Sequence, residues 1–310
     1  MNPALFDSYV FVDWSASSGP SPATPSADAI WIAEWSDGRA RATYWRTRQS
    51  AHAHLERRLR ALAAECRRAL VGFDFPFGYP SGFAAAAFRQ AADVPWRATW
   101  DSLTLGFSDS PANLNNRFEV ASALNRSCRA TGPGPFWCCP SALADRWLTV
   151  KKAGTSFPFM SDAGWMLAEY RACDLRALAA GLRIHTVWQL LGSGSVGGQG
   201  IAGIPYVNRL RHADGLRSVS AVWPFETGFR LNAIKNASIV FAETWPRVVE
   251  GLVHPGARPR DRAQVLAMAR WAADLDRSGE LAALLGRPAS LTSKKLAAVI
   301  EEEGWILGIR

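Results

Sequence analysis

The sequence predicts an α/β fold on a mixed sheet, three antiparallel strands followed by parallel ones, with a mostly helical segment inserted. Three observations carry this reading: short apolar runs that each end in an acid, an early hairpin signal, and amphipathic helical stretches between the later runs.

Residues 9–13 form an apolar run closed by Asp13, and a Ser/Gly/Pro-rich stretch over 15–26 follows as a long turn. Residues 29–35 and 39–47 are rich in β-branched and aromatic side chains, and Ser36-Asp37-Gly38 between them is a hairpin signal. From 52 to 70, Leu55, Leu59, Leu62, Cys66 and Leu70 recur at helical spacing with arginines on the opposite face. Residues 70–75 then read as a strand buried on both faces, interrupted by Asp74 and stopped by Pro76. Three strands, a helix and a further strand make the first half of a ribonuclease-H-like fold.

The middle of the chain changes character. Residues 83–92, 116–125 and 162–180 have helical patterning, separated by loops over 131–135 and 151–158, so 81–182 is predicted to be a helical insertion lying over the sheet. The α/β pattern resumes with strand-like 183–191, a glycine-rich loop, and the β-rich runs 218–223 and 238–243. An amphipathic helix over 261–276 places Val265, Met268, Trp271, Ala272 and Leu275 on one side. Right-handed crossovers would lay the later strands parallel to the first. The predicted organisation is a single domain over 1–310, with a core of 7–80 and 183–278, the insertion 81–182 and a helical tail 279–310.

Composition limits the function classes. Hydrophobic residues make up 48% and charged residues 20% of 310 residues, which suits a packed globular chain rather than a disordered one. The formal net charge of +8, mostly arginine, would attract a polyanion such as nucleic acid or a nucleotide. Five cysteines form no CxxC pair, and the odd number fits reduced thiols and a cytoplasmic location. The N-terminal stretch has acids within its apolar run and no basic lead, unlike a signal peptide, and no apolar run approaches the ~18 residues of a membrane span. The five histidines lack zinc-ligand spacing, no GxSxG elbow occurs, and nothing in the sequence signals an oligomeric state.

The chemistry-bearing pattern is a set of four acids, Asp13, Asp74, Glu243 and Asp261, each at a strand end or a helix start. An acid after an apolar strand is costly unless its charge is compensated. Two divalent cations about 4 Å apart would compensate it, and oxygen-only ligands suit Mg²⁺ or Mn²⁺. Turn and helix capping is the competing explanation for each acid, strongest for Asp261, which follows Pro259 and Arg260. A second pattern is the GxGxxG loop 192–197, in which Gly194, Ser195, Gly197 and neighbouring Gly198 would offer backbone N–H groups to a phosphate. Asp214 lies where a dinucleotide fold places its ribose-binding acid, but Pro205 in the following stretch argues against a Rossmann helix. Arg209 and Arg211 could neutralise a phosphate, whereas most of the fourteen tryptophans are expected in the core.

The pieces FVDWSAS, GFDFPFGYP, ETWP and DRAQVLAMARW, together with NRFEVASALN, GPFWCCP, GSGSVGGQGIAGIP, VWPFET and EEGWILG, resemble landmarks of a family of uncharacterised bacterial proteins predicted to be nucleases with a ribonuclease-H-like fold. The resemblance implies that Asp13, Asp74, Glu243 and Asp261 are its metal-binding and catalytic acids, that Mg²⁺ or Mn²⁺ is the cofactor, and that the substrate is a phosphodiester or phosphate ester. The last helix departs from the family in having a single early acid, Asp261. Two other readings use the same residues: a non-catalytic nucleotide- or nucleic-acid-binding module, and a sugar-kinase-like ATPase holding phosphates with 13–18 and 192–200.

Overall fold

The computed structural model describes residues 4–88 and 93–310. Strands β1 (Ser8–Asp13), β2 (Ile30–Ser36) and β3 (Arg39–Trp45) are antiparallel neighbours. Asp37 and Gly38 turn the β2–β3 hairpin with φ of 52° and 78°, the left-handed pair that keeps the strands twisted together. Helix α1 (Arg48–Ala64) is capped by Thr47 and buries Leu55, Leu59 and Leu62. It leads to β4 (Ala69–Phe73), every residue of which is buried, as expected of a strand lying between two others and covered on both faces.

The insertion contains α2 (Phe83–Phe88), α3 (Pro95–Gly106), α4 (Arg117–Cys128), the short hairpin β5 (Phe159–Met160) and β6 (Met166–Leu167), and α5 (Ala172–Ala179). The expected helix over 83–92 is present to Phe88, and 89–92 lie outside the described residues. The single helix expected over 162–180 is instead a turn and hairpin followed by α5. Residues 183–191 are not a strand: this stretch crosses as irregular chain buried at 186–188 and 190, with Trp188 donating to the Ala168 carbonyl and one isolated bridge joining Trp137 and Gln189. Helix α6 (Gly197–His212) then starts directly from the glycine-rich loop and carries Pro205 in its interior, so the proline does not prevent the helix. Strand β7 (Ser220–Trp223), α7 (Leu231–Asn236), β8 (Ile239–Glu243), α8 (Arg260–Ser278), α9 (Glu280–Leu285) and α10 (Ser293–Ala298) complete the chain.

The six-stranded sheet runs β3-β2-β1-β4-β8-β7, with β1, β4, β8 and β7 parallel. Side chains alternate between two cores, because successive residues of a strand point to opposite faces. Val10, Val12, Val71, Phe73, Ile239 and Phe241 face the core shared with α1, α6 and the insertion. Tyr9, Phe11, Leu70, Val240 and Ala242 face the core shared with α8 and the C-terminal residues. The tail is part of this second core rather than an appendage: Trp305, Ile306 and Leu307 are buried, and the Leu307 N–H donates to the Glu243 carbonyl at 2.9 Å. Among the described residues no helix is long and apolar enough to cross a membrane, and all five cysteines are unpaired.

Helix α8 also pins the start of the chain. Buried Asp276 accepts from the Leu5 and Phe6 N–H groups, each at 2.9 Å, and from the Tyr9 hydroxyl at 2.5 Å. Asp276→Ala leaves the Leu5 and Phe6 N–H groups without an acceptor, while the Tyr9 hydroxyl keeps the Phe6 carbonyl at 2.9 Å, so the unfolding free energy should fall by about 2–3 kcal/mol. The check is the denaturant midpoint at unchanged slope; a loss under about 1 kcal/mol would mean that the N-terminal segment is held by other contacts.

Candidate functional site

Strand parity decides which acids can share a site. In β1, Val12 faces the α1 side, so Asp13 turns to the α8 side; in β4, Phe73 faces the α1 side, so Asp74 just beyond it turns the same way. The two strands are parallel and paired Val12 to Phe73, which brings these carboxylates to neighbouring positions at the sheet's edge. Helix α8 packs over β1 and β2 on that side and contributes Asp261 from its first turn. In β8, Phe241 faces the α1 side, and Glu243, two residues on, does too.

Asp13, Asp74 and Asp261 line one cleft of about 500 Å³ together with Asp28. Asp28, in the long turn after β1, has φ of 54°, and its N–H donates to the Asp261 carboxylate at 2.6 Å. Asp74 accepts from the Trp14 N–H at 2.7 Å. Among the described residues, the Asp13 carboxylate accepts no hydrogen bond, and none of the three acids Asp13, Asp74 and Asp261 has an ion-pair partner. Burial, reinforced by Asp74, Asp261 and Asp28, raises Asp13 well above the usual carboxylate range. Burial likewise pushes Asp74 up to about 7, with Asp261 adding to the effect and the Trp14 N–H opposing it. Asp261 is raised chiefly by burial. These acids are concentrated without compensation, and among the described residues no three His, Cys, Asp or Glu side chains are drawn close enough to enclose one metal ion.

Glu243 has a different environment from the other three acids. It is 3% exposed and takes a bidentate pair from Arg171, Nη1 and Nη2 each at 2.7 Å, plus the Phe77 N–H at 2.9 Å. Arg171, just before α5, also binds Asp174 through Nε at 3.1 Å and Nη2 at 3.0 Å, and the Glu303 carbonyl through Nη1 at 3.2 Å. Glu243 thus has its counter-ion already, in an adjoining recess of about 210 Å³ that Asp74 also borders. Sequence inspection passed over Arg171, whose signal was slight: an arginine in a polar stretch of the insertion.

The glycine-rich loop borders the same cleft. Leu190 to Val196 and Gln199 line the main cleft, and the Gln199 side chain donates to the Trp14 carbonyl at 2.7 Å, tying the start of α6 to the end of β1. Of the four loop residues singled out, Gly194 and Ser195 border the cleft, while Gly197 and Gly198 are buried at the start of α6. The insertion adds Arg117 to this wall, and Trp245 and Arg247 border both recesses. The arginines offered for a phosphate are engaged elsewhere, Arg211 pairing with Glu226 at 2.7 Å and Arg209 lying over the Tyr206 ring, and exposed Asp214, the ribose-binding candidate, pairs with Arg217. Trp14, Trp96 and Trp223 are core residues, with Trp96 stacked on Phe225. No protein-family model, curated protein or solved structure matches the chain.

The raised carboxylates have a sign that can be measured. A folded-state value above the unfolded one means that the native protein holds more protons between the two, so stability falls as pH rises through that window. For Asp74 the window runs from its ordinary 3.8 to about 7. In chelator, wild type should lose stability from pH 4 toward 7, and Asp74→Asn should flatten that slope while melting higher at pH 7. Parallel wild-type and variant curves would show that Asp74 is compensated in solution.

Removing the guanidinium that serves Glu243 has the opposite consequence. Arg171→Met strands two buried carboxylates, Glu243 and Asp174, and should cost about 3–5 kcal/mol of stability near neutral pH. Chemical denaturation provides the measurement; a loss below about 1 kcal/mol would show that these acids take up protons at little cost.

Proposed function

We propose that this protein is a metal-dependent phosphodiester hydrolase, a nuclease with a ribonuclease-H-like fold. The observation that carries the reading is the grouping of Asp13, Asp74 and Asp261 in one cleft with no cationic side chain paired to any of them. Charged groups in such a setting call for a cation from outside the chain. Strand order supports the fold assignment: three antiparallel strands, then β4 and β8 parallel beside β1, with β7 added at the edge.

The donor chemistry fits a hard divalent cation, since carboxylate oxygens suit Mg²⁺ or Mn²⁺ and no sulfur or imidazole borders the main cleft among the described residues. Asp13, Asp74 and Asp261 would hold it, with side-chain rotation bringing the carboxylates together, and Asp28 stands beside them. Such a cation acts as a Lewis acid on a phosphoryl oxygen and lowers the pKa of a bound water. The chain's own residues fix the rest. The Trp14 N–H orients the Asp74 carboxylate, the Asp28 N–H orients that of Asp261, and Gln199 holds the loop wall at a set distance from β1. Glu243 contributes by anchoring Arg171 rather than by direct ligation. The cleft is open to solvent along the loop 191–195, which is exposed over most of its length and leaves room for an extended, charged substrate.

Asp13→Asn should abolish Mg²⁺- or Mn²⁺-dependent cleavage of labelled single- and double-stranded RNA and DNA while the fold persists. The change is nearly isosteric and removes one charge from an uncompensated group, so melting in chelator should stay the same or rise. A variant as active as wild type would remove Asp13 from the mechanism. A wild-type protein inactive on every substrate with both metals would favour a non-catalytic nucleotide- or nucleic-acid-binding module.

A further inference from the structure

Arg117 is a buried arginine without an anion. It is 7% exposed, and Nη1 donates to two neutral groups, the Ser18 hydroxyl at 2.7 Å and the Asn115 side-chain carbonyl at 3.0 Å. Its Nε has no acceptor, and among the described residues no carboxylate lies within ion-pair range of it. The nearby buried arginine, Arg48, is in a different position, being bidentate to Asp109 at 2.6 and 2.8 Å. Burial and the repulsion from Arg48 push Arg117 down to about 10, with Glu119 opposing, so it remains charged at neutral pH; its guanidinium lies 4.2 Å over the Phe118 ring but meets no anion.

What faces Arg117 is the start of α6. A Cβ placed on Gly198 would lie 3.5 Å from Arg117 Nε and 2.5 Å from the Leu190 carbonyl, and one on Gly197 would meet the Val187 carbonyl at 2.4 Å. Only glycine lets this first turn press so closely against 187–190 and the guanidinium. Val196 gives no side-chain cap, so the N–H groups of Gly198 and Gln199 have no acceptor within the helix by position, and of these two residues Gln199 borders the cleft. Gly192 and Gly194, with φ of 115° and 75°, turn the preceding loop around the same space. The start of a sixteen-residue helix and a buried guanidinium without an anion thus border the same cleft as the acids.

We infer that Arg117, with the Gly192–Gly198 loop and the first turn of α6, forms a phosphate subsite that holds a phosphoryl group of the substrate beside the acidic cluster. Planar guanidinium donors and helix-start N–H groups are the two recognition elements proteins use most readily for this oxyanion. The inference deepens the nuclease reading and rests on it only for the identity of the substrate; anion binding itself needs neither metal nor turnover. The phosphate could belong to a polynucleotide or to a free nucleotide, and the chemistry of capture is shared.

The experiment is calorimetric titration of the full chain in chelator with inorganic phosphate, a nucleoside monophosphate, and a single-stranded oligonucleotide with or without a 5′-phosphate. Wild type should bind phosphate, and Arg117→Gln should weaken that binding about tenfold or more, as expected for loss of a charge-assisted bond. Because Arg117 is buried, the exposed loop variant Ser193→Asp serves as a second arm. It places a negative charge at the cleft wall without touching the core and should weaken phosphate by a similar factor. Asp13→Asn should retain or improve phosphate binding. Preference for the 5′-phosphorylated oligonucleotide over the monophosphate assigns the site to a polynucleotide end, and the reverse assigns it to a nucleotide. No phosphate binding by wild type, or binding undiminished in the folded variants, overturns the subsite whether or not cleavage occurs. Phosphate binding lost in the variants of a protein that cleaves nothing retains the subsite and removes the nuclease reading.

Discussion

Arg171 places its guanidinium where three separately encoded parts of the chain meet. Its backbone belongs to the insertion, its principal partner Glu243 ends β8 in the sheet, and it also donates to the carbonyl of Glu303 in the C-terminal segment. At 2% exposure, a guanidinium is tolerable only when its donors are satisfied, and Asp174, Glu243 and the Glu303 carbonyl satisfy them. The tail repeats the logic in the other direction. Glu302 accepts from the Gly82 and Ala84 N–H groups, each at 2.6 Å, and Glu303 accepts from Ala172 at 2.7 Å and Ser81 at 3.2 Å, so buried carboxylates cap helix starts of the insertion. Insertion, sheet and tail therefore form one body, and the walls of both recesses are fixed relative to the strand ends that carry the acids.

Set against that junction, the cluster of Asp13, Asp74 and Asp261 is conspicuous for what the chain does not do. The same protein that gives Glu243 a bidentate arginine leaves these acids with backbone donors at most. Arginine is abundant enough to have served them, with 35 Lys and Arg residues against 27 acids. Keeping like charges together at the end of a packed sheet is destabilising. Local destabilisation of this kind is typical of residues whose partner is a ligand.

Much of the fold was legible because its strands follow simple patterns. β1, β2, β3, β4, β7 and β8 coincide with apolar or β-rich runs, and the Asp37-Gly38 hairpin and α8 follow directly from turn chemistry and helical periodicity. The stretch 183–191 has the composition of a strand but lies where the chain crosses between the insertion and α6, and tertiary packing of Trp188 overrides its propensity. Pro205 was misleading because it removes one helix hydrogen bond without preventing a helix whose sides are buried along most of its length. At the site, the apolar-run-then-acid pattern located all three strand-end carboxylates, yet it ignored parity. Counting by twos from Val12 and Phe73 sends Asp13 and Asp74 to one face, and counting from Phe241 sends Glu243 to the other, but aligning the counts requires the β1–β4–β8 register. Arg117 and Arg171 were invisible because nothing local distinguishes a buried arginine from the many exposed ones.

The cleft that results is polar in a specific sense: carboxylates without counter-ions gather on the α8 side of the strand ends, their ionisation opposed by burial, and the guanidinium of Arg117, without an anion, borders the same cleft beside α6. Neither end can quench the other, because the intervening Trp14 backbone and Gln199 side chain are spent on Asp74 and on each other. A simple anion gains at Arg117 but is repelled by the acids, and a simple cation gains at the acids but not at Arg117. On the proposed reading, a phosphate carrying a divalent cation would satisfy both groups at once. Each component then lowers the electrostatic cost of admitting the other, and linkage makes that coupling reciprocal. On the same reading, the overall positive charge would draw a polyanion toward the molecule, and the separation of unpaired charges inside the cleft would select the part of it that enters.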